Sequence, residues 1–175
     1  VDLADFRQHQ LEARATGHYL GIGMACYIEA APGPRDGDAP LGREEMRMRL
    51  DDDGSVLVFT AQMPHGQSHE TTLAQIAADE FGVPFDSVKV IAGDTDVVPA
   101  GFTGGSRSAT MAGGAALTTA RALRSKVLDA AAHLLEASAE DLVISDSGVA
   151  VRGVPTSAMS LADVAVAART PGRLP

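Results

Sequence analysis

Tryptophan is absent from this chain, and Cys26 is its only cysteine. One thiol cannot close an internal disulfide, and it excludes a zinc site built on several cysteines. Aromatic residues make up 4% of the sequence, so the core has to be assembled from Ala, Val, Leu and Ile. Small side chains let helices pack closely, but each stabilises less by burial. That suits a chain that packs inside something larger. Positive charge is also scarce: 14 Lys and Arg stand against 23 Asp and Glu, giving a net charge of −9 and a pI near 4.9. This balance excludes a basic nucleic-acid surface, because phosphate backbones are gripped by Lys and Arg clusters. No apolar run approaches the roughly 20 residues that span a bilayer. Residues 1–6 lack the basic and apolar regions of a signal peptide, so the expectation is a soluble, cytoplasmic protein.

What is present is an ordered series of short elements of the α+β class. Leu3, Phe6, Gln10 and Ala13 share one face of a helix that Thr16-Gly17 ends. Residues 19–30 are apolar and contain glycine, and read as a buried strand. Residues 31–42, with three prolines and three glycines, read as a loop. Met46, Met48 and Leu50 alternate with charged residues, as in a half-exposed strand. Asp51-Asp52-Asp53-Gly54 turns that strand into residues 55–62, making a hairpin. A helix over 68–81 has Ser68 as N-cap, Glu70 in its first turn and Leu73, Ile76, Ala77 and Phe81 as its buried face. Gly82 stops it and Pro84 prevents its resumption. Residues 88–92 form a short strand. One long helix follows over 112–137, with Ala116, Ala120, Leu123, Val127, Ala131 and Leu134 as its inner stripe. A hairpin turning at Asp146-Ser147-Gly148 and a last helix capped by Ser160 complete the series. The architecture is a mixed sheet of short strands and hairpins packed against a few helices, one of them long. Val1 is not an initiator methionine and residues 170–175 read as a linker, so the expectation is that 1–175 is part of one domain of a longer polypeptide.

Two loops carry the functional signal. Pro64-His65-Gly66-Gln67-Ser68-His69-Glu70-Thr71-Thr72 joins a strand to a helix start, where open N–H groups and the positive dipole end suit an anion. Gly66 permits close approach to the backbone, and Gln67 offers a donor and an acceptor. Gly101-Phe102-Thr103-Gly104-Gly105-Ser106-Arg107-Ser108 repeats this design before the long helix. Ser106 and Ser108 flank Arg107, whose planar fork matches phosphate. The pair implies a large, anionic, multidentate cofactor. A strand-to-helix junction can also carry Gly and Ser for capping alone, and Arg107 can be a solvated loop residue.

Other candidates carry less. No Gly-Lys-Ser/Thr follows the second loop, so it is not a Walker loop. His65 and His69 have helical metal spacing, but His65 precedes the helix and Glu70 falls outside the His-Glu-x-x-His pattern. The three aspartates of the hairpin lack the alternate spacing of a calcium loop. Asp94 and Asp96 read as turn-formers. Cys26 reads as an inert core residue, and His133 as a surface residue of the long helix.

The residues of both loops resemble one family. Gly66-Gln67-Ser68-His69-Glu70-Thr71-Thr72 is similar to the Gly-Gln-Gly-His-Glu-Thr-Thr segment of molybdenum hydroxylase large subunits. Gly93-Asp94-Thr95-Asp96, Pro99 and Gly105-Ser106-Arg107-Ser108 resemble the segment that follows it there. The family includes xanthine dehydrogenases, aldehyde oxidoreductases and aerobic carbon monoxide dehydrogenases, the last being most similar. His65 and Ser68 stand where many members have Gln and Gly, and Gly104 where Tyr is common. The resemblance implies a fragment of the molybdenum cofactor-binding domain, with Gly66, Gln67, Ser68, Gly105, Ser106, Arg107 and Ser108 binding the molybdenum-pyranopterin cofactor in its cytosine dinucleotide form. It implies an oxidoreductase that inserts water-derived oxygen or oxidises carbon monoxide or an aldehyde. Its partners would be the rest of the large subunit, an iron–sulfur small subunit, an FAD-binding medium subunit and a small-molecule substrate. The family's metal-proximal glutamate is expected beyond the end of this chain and its substrate loop before the start. No catalytic residue or metal ligand is therefore assigned here, and the isolated chain is expected to be inactive. A non-catalytic scaffold that keeps the fold is the alternative.

Overall fold

The main sheet grows from the Asp51-Asp52-Asp53-Gly54 turn. In the computed structural model, which describes residues 2–29, 44–99 and 101–174, β1 (Met46–Leu50) pairs antiparallel with β2 (Val56–Thr60), Met46 opposite Thr60 and Leu50 opposite Val56. Arg47 and Arg49 face solvent while Leu50 is buried, so the alternation reports a half-covered strand as expected. β2 is apolar along most of its length and buried on both faces. That composition fits its place in the middle of the sheet order β1-β2-β3.

Helix α2 (His69–Phe81) carries the chain from β2 across to β3 (Val88–Ala92), which lies parallel to β2 with Val56 opposite Val88. Parallel neighbours need such a crossover, and it places the exits of β2 and β3 at one end of the sheet. Leu73, Ala77 and Phe81 bury as expected, joined by Ala74 and Ala78, while Ile76 stays half-buried. Gly82 ends the helix in the left-handed conformation.

The long helix α3 (Gly113–Leu135) opens with a single wide turn over Ser108–Ala112. Ala116, Ala120, Val127 and Ala131 are buried on it, and α3 packs along α2 and β1. The small stripe is what allows this close approach. A second sheet, β4 (Leu142–Ser145), β5 (Gly148–Val151) and β6 (Val154–Met159), is antiparallel throughout. The sixth strand was not legible because it is exposed and holds Pro155. Helix α4 (Leu161–Arg169) starts at Ser160, whose Oγ accepts from Asp163 N–H at 3.1 Å. Leu142, Val149, Leu161 and Val164 join the second sheet and α4 to the same core as Val56, Val58 and Phe81. The α+β class, the mixed sheet and the long helix are as the sequence indicates.

Three expectations require correction. Residues 19–29 form neither strand nor helix and are exposed, and Cys26 is an exposed thiol rather than a core residue. No strand among the described residues pairs with them, so their apolar character finds no cover here. Helix α1 (Leu3–Ala15) forms as expected, from Asp2 as N-cap to Thr16 as C-cap, and none of its residues is buried. Ser68 does not cap α2 through its side chain, as detailed below. The loop expected at 31–42 lies outside the described residues.

The β1–β2 turn yields one pH prediction. Asp53 accepts from the Ser55 hydroxyl, from Ser55 N–H and from Lys89 Nζ. These contacts, the hydroxyl foremost, lower its pKa from 3.8 to about 2. A depressed carboxylate contributes stability above its unfolded pKa and loses it as pH falls through the folded value, so the window here lies between 3.8 and about 2. Carboxyl NMR should place the Asp53 midpoint near 2, with Ser55→Ala raising it. A parent midpoint at the ordinary aspartate value would contradict the hydrogen bonding.

Candidate functional site

Both signal loops leave the same end of the sheet. Residues 61–68 follow the carboxyl end of β2, and residues 93–107 follow the carboxyl end of β3. In sheets built from βαβ units, ligands gather in the crevice beyond the carboxyl ends of the parallel strands. The topology thus brings together two segments that are separated by a helix and a strand in sequence.

A buried amide ties them. Gln62 is fully buried, and both ends of its amide meet hydrogen-bonding groups. Nε2 donates to Glu44 Oε2 and to Phe102 O, both at 2.8 Å. Oε1 accepts from Ser108 Oγ at 2.8 Å and Thr103 Oγ1 at 3.2 Å. Thr103 Oγ1 also lies 2.6 Å from Met63 O, which pins the second loop to the first. Beneath it, Arg107 forms an ion pair with Glu44 at 3.0 Å, the two side chains 1% and 2% exposed. The same guanidinium donates to Phe102 O at 3.0 Å and stacks 4.5 Å from the Phe102 ring centre. Burial raises the Glu44 carboxyl above its ordinary pKa, against the opposing pulls of Gln62 and Arg107. Gln62 and Glu44 were missed in the sequence. Nothing local in Thr60-Ala61-Gln62-Met63 marks that glutamine as buried; only a polar residue at the end of an otherwise apolar strand hinted at it.

This geometry sorts the seven expected site residues into two sets. Arg107 and Ser108 turn inward, so the guanidinium fork expected to face phosphate is committed to Glu44 and Phe102 instead. The others face outward. Ser68 and Ser106 are both left-handed, at φ 57° and 52°, and Gly66 and Gly105 also have positive φ. The space that a Cβ would take at each of these two glycines is open. Ser68 places its hydroxyl in no cap, and the first bond of α2 runs from Thr72 N–H to Ser68 O. The N–H groups of His69, Glu70 and Thr71 are therefore left for a ligand or water. Gln67 Oε1 accepts from His65 N–H, leaving its NH₂ group to donate. Ser106 Oγ donates to Glu29 at 2.9 Å. Between the two helix starts lies a cleft of ≈ 310 Å³, walled by Gln67, His69, Thr72, Ile76, Ser108 and Ala112. His69 is buried in that wall, and neither ring nitrogen has a hydrogen-bond partner among the described residues.

These features suit a polyanionic heterocyclic group. Open N–H groups and hydroxyls can hold phosphate oxygens, glycines allow close approach, and the mostly apolar cleft accepts a flat ring. A larger recess of ≈ 380 Å³ lies at the opposite end of β2, lined by Asp53, Asp86 and Asp146 with Lys89. Its carboxylates oppose an anionic ligand. His65 is exposed while His69 is buried, and the described residues contain no cluster able to hold a metal ion. Asp96 N–H bonds Asp94 Oδ1 at 3.1 Å, which makes this pair a turn. His133 is exposed, as expected.

The left-handed Ser68 gives a second prediction. A side chain there costs about 1–2 kcal/mol that glycine avoids. Ser68→Gly should therefore stabilise the protein by about 1 kcal/mol in denaturant unfolding, and Ser68→Val should destabilise it. Loss of stability in Ser68→Gly would mean that the left-handed turn is not kept.

The sequence matches the molybdopterin cofactor-binding domain family over residues 1–173. It is 39% identical to the nicotine 6-hydroxylase large subunit of Paenarthrobacter nicotinovorans, across 95% of this chain and 21% of that protein. It is 34% identical to the carbon monoxide dehydrogenase large chain of Afipia carboxidovorans, across 91% of this chain and 20% of that protein. The crystal structure of quinoline 2-oxidoreductase from Pseudomonas putida 86 superposes with a TM-score of 0.69 and 39% identity, covering 98% of this chain and 23% of that one. The chain thus spans about a fifth of the length of the curated relatives it matches. Across that span its fold and its sequence agree, and the chain belongs to the molybdopterin cofactor-binding domain family of molybdenum hydroxylase large subunits.

Proposed function

We propose that residues 1–175 form part of a single cofactor-binding domain in a molybdenum-dependent oxidoreductase, and that the two loops hold the cofactor's pterin and phosphates. The observation that carries this reading is the meeting of two open helix starts at the carboxyl ends of β2 and β3, around one cleft. Ser68, the Gln67 NH₂ and the N–H groups at the start of α2 would hold the polyanion, Ser106 would join them on exchanging its bond to Glu29, and Gly66 and Gly105 would admit it to the backbone. Arg107 and Ser108 would act from behind, by fixing the second loop through Glu44 and Gln62. We infer the cytosine dinucleotide form of the cofactor, whose two phosphates would need donors from more than one loop.

When bound, the cofactor supplies water-derived oxygen to a small substrate and takes up its electrons. This chain's residues would bind and orient that group. Electrons would pass to an iron–sulfur small subunit and an FAD-binding medium subunit. The general base would be a glutamate from other polypeptide, so the contribution here is cofactor retention and placement.

Gln67→Ala in the complete enzyme tests the reading. Gln67 is exposed, so unfolding stability should change by no more than about 0.5 kcal/mol. Molybdenum per protein and acid-released cytidine nucleotide should both fall. Activity should drop by about tenfold or more, because displacement of a reacting group by about 1 Å can cost a hundredfold in rate. Unchanged metal, nucleotide and turnover would remove the first loop from the site.

A further inference from the structure

The imidazole in the wall of the cleft has no bond at all among the described residues. His69 is 5% exposed, and neither Nδ1 nor Nε2 meets a hydrogen-bond partner there. Its polar neighbours are committed. Thr72 Oγ1 donates to Ser68 O at 3.1 Å, Ser108 Oγ donates to Gln62 Oε1 at 2.8 Å, and Gln67 Oε1 accepts from His65 N–H. Taking an imidazole out of water without replacing its bonds is costly, so a buried ring of this kind calls for a partner. The open side is the cleft it lines, ≈ 310 Å³ between the start of α2 and the wide turn at 108–112.

The lining says what that partner is. Leu73 and Ile76 wall the cleft on the α2 side, and the small residues Ala109, Ala112 and Gly113 wall it on the other. Branched side chains facing small ones leave a slot for a flat ring. A volume of ≈ 310 Å³ lies at the small end of ligand pockets, which run from about 300 to 1,000 Å³. It takes a heterocycle of one or two rings and not a whole dinucleotide. Phosphate oxygens need donors, and the open N–H groups at the start of α2 already offer them. A neutral imidazole instead presents one donor and one acceptor, which matches the edge of an uncharged ring carrying N–H, C=O or ring-nitrogen groups. No acidic or basic side chain lines the cleft among the described residues, so nothing there selects for a charge on that ring.

We propose that His69 is the specificity-determining residue of the cleft. Its ring hydrogen-bonds the edge of an uncharged, planar nitrogen heterocycle, the base or the pterin of the bound cofactor, while the helix starts hold the phosphates. This rests on the two loops holding the cofactor, as proposed above, and assigns one side chain to the ring end of the ligand. Ring and phosphates are thereby held by different groups, so substitution separates the two contributions.

The complete enzyme, prepared from cells unable to make the pterin, would be titrated calorimetrically with cytidine monophosphate, ribose 5-phosphate and 6-hydroxymethylpterin. Ribose 5-phosphate reports the phosphate contacts alone. His69→Leu should weaken at least one ring probe by about tenfold, the loss expected for one hydrogen bond, and leave ribose 5-phosphate within about twofold. The nucleotide responds if the base lies in the cleft, and the free pterin if the pterin does. His69→Gln keeps a donor and an acceptor and should restore part of the loss. Ala109→Leu, at an exposed position of the cleft wall, should weaken the same probe by filling the slot. That variant decides the matter even if His69→Leu does not fold, since unchanged ring affinity there would mean that the cleft holds no ring. Ring affinities unchanged in His69→Leu, with ribose 5-phosphate still bound, would overturn the role of His69 and leave the two loops as the cofactor site. An equal loss for all three probes would make His69 a structural residue and overturn its role as well. Failure of the parent to bind ribose 5-phosphate would overturn the loop assignment itself, and this proposal with it.

Discussion

Arg107→Ala is expected to destabilise the complete large subunit by about 3–5 kcal/mol, the cost of stripping one partner from a buried ion pair. Arg107 and Glu44 are 1% and 2% exposed and 3.0 Å apart, so the carboxylate left behind would be desolvated and uncompensated. Phe102 would lose its stacked cation and Phe102 O a donor. Arg107→Lys should recover only part of the loss, because an ammonium cannot span Glu44 and Phe102 together as a planar fork does. Replacing Glu44 and Arg107 together by leucine should cost less than Arg107→Ala alone, since no charge remains buried. Denaturant unfolding of the four proteins checks this. Cofactor loss without loss of stability would mean that the guanidinium faces the ligand after all. A change within about 0.5 kcal/mol and full cofactor content would make Arg107 an ordinary surface residue.

Much of the fold was legible because its signals are local. The alternation in β1, the Asp-Gly turn, the Gly82 stop and the alanine stripe of α3 each act within a few residues, and each element is where its signal lies. Pairing is not local. The parallel alignment of β2 with β3 depends on α2 crossing between them, and neither strand's composition records it. Residues 19–28 have the sequence of a buried strand, but composition specifies only that cover is needed, not where it comes from.

The site shows the same division. Glycines, serines and helix starts revealed both loops, because open N–H groups and left-handed turns require particular residue types nearby. Side-chain direction was hidden. Arg107 between two serines has the look of an anion ligand, yet Glu44, 63 positions earlier by the difference of their numbers, turns it inward. Ser68 looks like a cap and adopts a conformation that prevents capping. For Arg107 a partner distant in sequence, Glu44, decides the direction of the side chain.

Gln62 should therefore matter more than its neighbours on the loop surface. Gln62→Leu keeps the volume but leaves Ser108, Thr103, Phe102 O and Glu44 without the amide that joins them. Phe102 O and Glu44 keep Arg107 and Thr103 keeps Met63 O, so the Ser108 hydroxyl is the group left without a partner; a buried group left unsatisfied costs about 1–3 kcal/mol, and the loss should be of that size. Molybdenum content should fall with it, because Ser108 and Thr103 fix the second loop through Gln62. Gln62→Glu makes the sharper comparison. It sets a second carboxyl against Glu44 in a buried site, so its folded pKa must be raised. A raised carboxyl favours the fold while protonated and withdraws that support as pH rises through the folded pKa. Gln62→Glu should accordingly approach the parent in stability near pH 5 and fall well below it by pH 8, whereas the deficit of Gln62→Leu should stay nearly constant over that interval. Parallel pH profiles for the two variants would show that residue 62 does not sit against Glu44, and the link between the loops would have to lie elsewhere.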